Sequence, residues 1–281
     1  MNKFFHTFRL LSLDVVLGAL CSAYMVVLLL EVKVPTIFWI ALPISVWVIY
    51  TADHLLDAYR LKDQAHTPRH LFHYTYFRSI AFAFLLAGAL CVFLFPFLVP
   101  VSMLYFAAFM GAFTGVHFLL VKWVGERISP LFLKELGVAL IYAAGVWGAP
   151  WVLAGMELEL PENLFFLQFF LLALINLLTF SMYEMETDQL DGHTSFVLAI
   201  GKKTTKALLY FLSILVLVFC AMILSKESSP LVLMAESIFL LMLFVLVWVF
   251  VDERRFGKTE AYRAWADAVF LFPGISFFYA V

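Results

Sequence analysis

Charge is what this chain has least of. Only 14% of its 281 residues are Asp, Glu, Lys or Arg, against about a quarter in a soluble domain. A water-soluble fold so poor in charge could not cover its own surface. Polar linkers and low-complexity tracts are also missing, so residues 1–281 read as a single domain. Cysteine is scarce. Cys21, Cys91 and Cys220 each sit inside an apolar run, with no CxxC and no metal-ligand spacing. They read as small buried hydrophobes, which excludes a disulfide scaffold. Eighteen basic and 20 acidic residues leave a net charge of -2, with no basic face for nucleic acid. What the chain has in excess is apolar surface: 64% hydrophobic residues, 32 of all residues being Phe. These proportions exclude a soluble enzyme, a disordered protein and a nucleic-acid binder. They point to an all-α, polytopic membrane protein solvated mostly by lipid.

Apolar runs long enough to cross a bilayer recur along the chain. Nine are expected: Leu10–Leu30, Thr36–Asp57, Tyr76–Leu98, Val101–Val121, Leu131–Leu153, Leu164–Tyr183, Thr205–Leu224, Leu231–Val251 and Ala264–Val281. The first reads as a membrane helix rather than a cleavable signal, since it contains Asp14 and lacks a small-x-small site. Pro35, Pro68, Pro100, Pro130, Pro161 and Pro230 separate runs, whereas Pro43, Pro96 and Pro273 fall inside them and should kink or end helices.

Nine spans make the connections alternate between two sides. One side then receives every basic residue except Lys33 and Lys226, while the 154–163 connection carries Glu157, Glu159 and Glu162 and no Lys or Arg. The positive-inside rule makes the basic side cytoplasmic, with the N-terminus inside and the C-terminus outside. A multi-pass protein of a bacterial plasma (inner) membrane is the expectation. The longest polar stretches, 58–75 and 184–206, share that basic side.

Both follow an acidic pair. The second run ends with Asp53 and Asp57, and the sixth is followed by Glu184 and Asp188. Residues four apart share a helix face one turn apart. Like charges so placed repel, and a divalent cation relieves the repulsion. Carboxylate oxygens suit Mg²⁺, which commonly bridges to substrate phosphates. Two facing pairs at one depth would hold two Mg²⁺ ions and a diphosphate, with Arg60, Lys122 and Lys202 as diphosphate contacts. The plainer alternative is that the carboxylates solvate helix ends.

This constellation resembles the UbiA superfamily of intramembrane prenyltransferases, over most of the chain. The family's first motif, N-x-x-x-D-x-x-x-D, falls on Ile49, Asp53 and Asp57, with Ile in place of Asn. Its second, D-x-x-x-D followed by glycines, falls on Glu184 and Asp188 with Gly192 and Gly201 beyond, Glu replacing the first Asp. Val121-Lys122-Trp123 and the stretch from Lys134-Glu135 are similar to the family's fourth and fifth helices. The resemblance implies a UbiA-like bundle of about nine helices. It also implies Mg²⁺-dependent transfer of a prenyl group from a polyprenyl diphosphate to a hydrophobic, aromatic or lipid-type acceptor. Asp53, Asp57, Glu184 and Asp188 would be the catalytic, metal-binding residues. Aromatic faces would stabilise the allylic cation, with Tyr50, Tyr59, Tyr142 and Tyr183 all candidates. A lipid-binding relative without activity, or a transporter, is the alternative.

Remaining features are weaker. His66, His70 and His73 lie close together but match no zinc spacing. Asp14 should face the polar chamber or pair with a base near the interface. Glu236 lies in an apolar run with no assigned partner, and Gly111-x-x-x-Gly115 has the spacing of close helix packing.

Overall fold

The computed structural model of the protein describes residues 3–124, 133–155, 160–192, 194–257 and 261–279. Among the described residues the chain is helical throughout its regular structure, with no strand. The helices are α1 (Lys3–Leu10), α2 (Leu13–Leu29), α3 (Phe38–Leu61), α4 (Pro68–Thr75), α5 (Phe77–Ala89), α6 (Val101–Val124), α7 (Leu133–Leu153), α8 (Leu160–Tyr183), α9 (Met185–Leu190), α10 (Phe196–Ile200), α11 (Lys202–Lys226), α12 (Pro230–Val251), α13 (Glu253–Phe256) and α14 (Ala261–Ala268). A 3-10 segment, Val269–Phe278, follows α14.

Among the described residues, seven helical stretches are long and apolar enough to cross a membrane, and they fall on the second to eighth expected runs. The protein is a polytopic helical membrane bundle. The two outer runs take other forms. The first is broken at Ser12, which adopts a left-handed φ of 56°, leaving α2 one turn short of a full span. Arg9 and Asp14 face each other across the break at 3.7 Å, so the charge pair that interrupts the run is satisfied locally. At the break the Arg9 carbonyl accepts from the Ser12 N–H at 3.0 Å. The last run is helical only over α14 and continues as 3-10 turns through Pro273. A 3-10 helix rises about 2.0 Å per residue against 1.5 Å for an α-helix, so α14 and this segment together reach about 30 Å.

α8 is the central pillar. Of its apolar window 72% is buried, against 11% for the stretch Phe77–Phe97. Phe169, Leu172, Ile175 and Leu178 recur every three residues and are all fully enclosed. α7, α11, α12 and the 3-10 segment pack around this stripe, with Phe169 meeting Tyr142, Phe239 and Phe270 at ring distances of 5.8, 6.2 and 5.8 Å. α12 begins sharply because the Ser229 hydroxyl accepts from the Val232 N–H and Pro230 takes the first position.

The tightest seam joins α2 to the 3-10 segment. Gly18 faces Phe270, where an added Cβ would lie 2.8 Å from the Phe270 Cβ, and Gly274 faces the Cys21 sulfur. Tyr24 stacks on Phe277 at 3.8 Å. Small residues let the two backbones approach, which drives packing where lipid supplies no hydrophobic gain. The Gly111 and Gly115 spacing does not work this way, because both face open space. Close contact on α6 comes instead from α7, whose Gly137 and Gly148 leave room for His117 and Phe106 and no room for a Cβ. Glu236 finds a partner on α8, accepting from Gln168 Nε2 at 3.1 Å.

Overpacking a tight seam costs about 1–3 kcal/mol. Gly18→Val is therefore expected to lower the melting temperature of the detergent-solubilised protein clearly, while Gly111→Val changes it little. Equal effects of the two substitutions would contradict the seam.

Candidate functional site

α3 runs one turn past Asp57, so the first acidic pair sits within a helix rather than at its end. The Asp53 carboxylate is half exposed and lies 3.9 Å from His54 Nδ1. Asp57 is more enclosed. Its two oxygens lie 3.9 Å from Arg60 Nη2 and 3.4 Å from His70 Nε2. His70 reaches Asp57 because α4 folds back over the end of α3. The Thr67 hydroxyl accepts from the His70 N–H at 3.3 Å and Pro68 opens the helix, two signals that fix its start. The same turn places the Arg69 guanidinium 3.5 Å from His54 Nε2, and it donates to the Arg9 carbonyl at 3.3 Å. His73 Nδ1 donates to the Arg69 carbonyl at 2.9 Å. Burial, reinforced by the nearby Arg263 and Lys134 charges, pushes His70 down to about 4. Burial lowers His73 as well. Both rings are neutral at pH 7 and serve as hydrogen-bonding braces rather than charges.

The second pair behaves differently. Glu184 lies at the junction of α8 and α9, and its carbonyl accepts from the Asp188 N–H at 2.8 Å. Helical spacing is kept, yet the two carboxylates part. Glu184 accepts from Arg263 twice, Nε to Oε1 at 2.5 Å and Nη2 to Oε2 at 2.6 Å, and from the Tyr262 hydroxyl at 2.8 Å. Burial acts to raise the Glu184 carboxyl, but the Arg263 guanidinium outweighs it and holds the group below its ordinary value. Asp188 instead lies in range of Lys134. Burial pushes it up to about 6, with Lys134 opposing.

Lys134, at the start of α7, is the cation shared by both motifs. The carboxylates of Asp53, Asp57 and Asp188, together with that of Glu135, all act on it. The two acidic motifs therefore occupy one end of the bundle. His66 ties the same end together, its Nδ1 2.5 Å from Asp191 Oδ1. Thus His66, His70 and His73 each have a separate partner. Among the described residues, no three His, Cys, Asp or Glu side chains form a group able to hold a metal ion by themselves. Beside Lys134 lies a small cleft of about 20 Å³, lined also by Glu135, Thr194, Ser195 and Phe196.

Of the expected diphosphate contacts, Arg60 is half exposed beside Asp57. Lys202 is turned to Glu253, at 2.5 Å, in company with Lys206 at 2.9 Å. The Lys122 side chain lies outside the described residues. Lys134, Arg69 and Arg263 carry more of this end's electrostatics than any of the three. Arg69 shares the basic side with the expected contacts, whereas Arg263 was indistinguishable in the sequence from the basic residues that set topology.

Deeper in the bundle, a small cavity of about 20 Å³, room for a water or two, is lined by Tyr50, Tyr142, Asn176, Asp267 and Phe270 among apolar neighbours. Asn176 Nδ2 donates to Asp267 Oδ1 at 3.4 Å. Of the four candidate tyrosines, Tyr50 and Tyr142 line this cavity. Tyr59 is exposed, and the Tyr183 hydroxyl is spent on the Val249 carbonyl at 2.6 Å. Comparison of the chain with protein-family models, curated proteins and solved structures finds no match.

Removing one partner of a buried ion pair leaves an uncompensated charge and costs about 3–5 kcal/mol. Arg263→Met should destabilise the protein by that order, and the Glu184→Gln, Arg263→Met double variant by clearly less than the sum of the two singles. Denaturation of all four proteins in detergent measures the coupling, and strict additivity would contradict the pairing.

Proposed function

We propose that this chain is an intramembrane prenyltransferase of the UbiA type, a single domain of about nine spans with its acidic end facing the cytoplasm of a bacterium. It transfers a prenyl group from a polyprenyl diphosphate to a hydrophobic, aromatic or lipid-type acceptor held within the membrane. The observation that carries the reading is that the carboxylates of both acidic motifs, Asp53 and Asp57 on one side and Asp188 on the other, act electrostatically on the same Lys134. The reach of α14 and the 3-10 segment, about 30 Å, matches the hydrocarbon thickness and supports a ninth crossing.

Mg²⁺ is the expected cofactor, and the donor set fits it in part. Mg²⁺ is usually bound by one or two carboxylates, several waters and substrate phosphates rather than by an all-protein cage. Asp53 and Asp57 fit that description, with Asp53 open to solvent. Asp188 lies within electrostatic range of the same Lys134 without joining Asp53 and Asp57 in a three-residue metal group. Glu184 fits poorly, because both its oxygens are held by Arg263. When bound, the metal would neutralise diphosphate charge and ease its departure, the Lewis-acid role. Lys134 lies where it would add a fixed positive charge beside the leaving group. Arg60, half exposed beside Asp57, is suited to contact a diphosphate oxygen.

A second reading draws on that Glu184–Arg263 closure. With one position of the second motif engaged, the chain would bind isoprenoid lipid without turning it over. Release of diphosphate from a radiolabelled prenyl diphosphate in the presence of Mg²⁺ separates the two readings. The enzyme reading expects release that falls at least 100-fold in Asp53→Asn and in Asp57→Asn. Absence of release across a panel of donor lengths and acceptors would favour the lipid-binding reading.

A further inference from the structure

The acidic end of the bundle carries a second surface that neither motif uses. α12 has 22 residues, about 33 Å at 1.5 Å per residue, enough to cross the hydrocarbon core and stop at its edge. Tyr183, next to Glu184, donates to the Val249 carbonyl, which puts the end of α12 beside the acidic motifs. The helix stops at Val251, and α13 follows at once with Glu253, Arg254 and Arg255. This short helix is pinned at both ends. The Asp252 carboxylate accepts from the Arg255 N–H at 3.3 Å, and Phe256 is buried with its ring edge-on to Trp248 at 5.0 Å. The two arginines between them stay exposed.

Charge at this rim is unbalanced. Lys202, Lys203 and Lys206 lie in the first turns of α11, and Lys202 and Lys206 both turn to Glu253. Five basic residues thus meet two acidic ones, Asp252 and Glu253. Among the described residues, Lys203, Arg254 and Arg255 enter no ion pair. Exposed charge alone would say little, since basic residues at a membrane edge also set topology.

Two further observations give the charge a ligand. First, the Arg255 guanidinium lies over the Trp248 ring, with Cζ 4.9 Å from the centroid. The ring takes one face of the guanidinium. The N–H donors lie in the guanidinium plane, in the fork that matches a phosphate. Arg255 is therefore ordered before anything binds. Second, the surface below the arginine is apolar. Phe244, Trp248 and Val251 recur at i, i+4 and i+7, one stripe along α12, and Phe244 and Val251 are both exposed. Trp265 of α14 widens the upper end, half exposed with its ring 5.5 Å from Trp248. Indole rings, apolar in body and polar at the N–H, settle at headgroup level. A free anion would use the guanidinium and leave the stripe idle. A molecule with phosphate above and acyl chains below uses both.

We propose that α13 and the adjoining face of α12 form a binding site for an anionic phospholipid, its phosphate held by Arg254 and Arg255 and an acyl chain laid along Phe244, Trp248 and Val251. Lys203 adds a third positive charge at the rim. A zwitterionic lipid brings its own cation to a surface already rich in positive charge, so net headgroup charge selects the occupant. The site stands apart from the prenyl-transfer reading, because it uses no residue of either acidic motif.

Native mass spectrometry of the full-length protein in dodecyl maltoside counts the lipids that stay bound. Dioleoyl phosphatidylglycerol and dioleoyl phosphatidylcholine are supplied in equal amounts. The unaltered chain is expected to retain phosphatidylglycerol at least 5-fold over phosphatidylcholine. The Arg254→Gln, Arg255→Gln double variant should lose that preference. Both substitutions fall at exposed positions, so the loss is read in folded protein. The Lys62→Gln, Arg78→Gln double variant removes two exposed positive charges elsewhere on the chain and should keep the preference. Trp248→Leu keeps every charge but removes the ring, and should cut the preference at least 3-fold. Equal retention of the two lipids by the unaltered chain would overturn the proposal. So would a preference that survives in the arginine double variant or in folded Trp248→Leu protein. Equal loss in the Lys62, Arg78 variant would reduce the site to diffuse attraction, and displacement of phosphatidylglycerol by inorganic phosphate alone would reduce it to an ion site. Either result contradicts it.

Discussion

The ion pair between Glu184 and Arg263 is the contact on which the rest of this bundle depends. It joins the end of the central helix α8 to α14, where charge gives way to apolar core. Both groups are largely buried, and an isolated charge there would be prohibitive. Paired bidentately, with the Tyr262 hydroxyl as a third donor, they fix the position from which α14 descends. Everything on that descent follows. Asp267 arrives beside Asn176, and Phe270 arrives against Gly18 and among Phe169 and Tyr142. The interior cavity is thus a consequence of the ion pair above it.

The same constraint organises the acidic end. Arg69 is a buried guanidinium that would be costly alone. It is kept by the Arg9 carbonyl and by the carboxylates of Asp14, Asp267 and Glu184 within its field. The break at Ser12 that shortens α2 supplies that carbonyl. Lys134 plays the corresponding part for Asp53, Asp57 and Asp188. Charges in this chain are few because each must be matched. The matched sets form two connected layers, an open one of carboxylates around Lys134 and a closed one running from Arg9 to Arg263. In the proposed function, the open layer meets the diphosphate and the closed layer shapes the chamber beneath it.

Much of this was legible in the sequence. Runs of about 20 apolar residues report their own length and partners are not needed to see them, so seven of the nine expected crossings coincide with long helices. The outer two departed because a left-handed Ser12 and a 3-10 path through Pro273 are local backbone choices that hydropathy averages over. The placement of both acidic motifs at one end followed from counting crossings. What the spacing could not report was direction. Glu184 and Asp188 are four apart as expected, yet their carboxylates diverge, because Arg263, some 80 residues later, competes for one of them. Long-range pairs of that kind leave no periodic trace. The cavity was invisible for the same reason: Asn176 and Asp267 lie in separate apolar runs and gain meaning only from their contact. Lys202 shows the converse. Its place on the same side as the acidic pairs suggested a diphosphate contact, and Glu253 claims it instead.

The central claim is that the open carboxylates hold a divalent cation together with a diphosphate and not without one. Electron paramagnetic resonance of Mn²⁺, a spin-active substitute for Mg²⁺, reads this directly in purified protein. The account predicts weak binding of Mn²⁺ alone and much tighter binding once inorganic pyrophosphate is added, lost in Asp53→Asn and in Asp57→Asn and retained in Glu184→Gln. Binding that ignores pyrophosphate, or that survives loss of Asp53 and Asp57 while disappearing with Glu184, would contradict it.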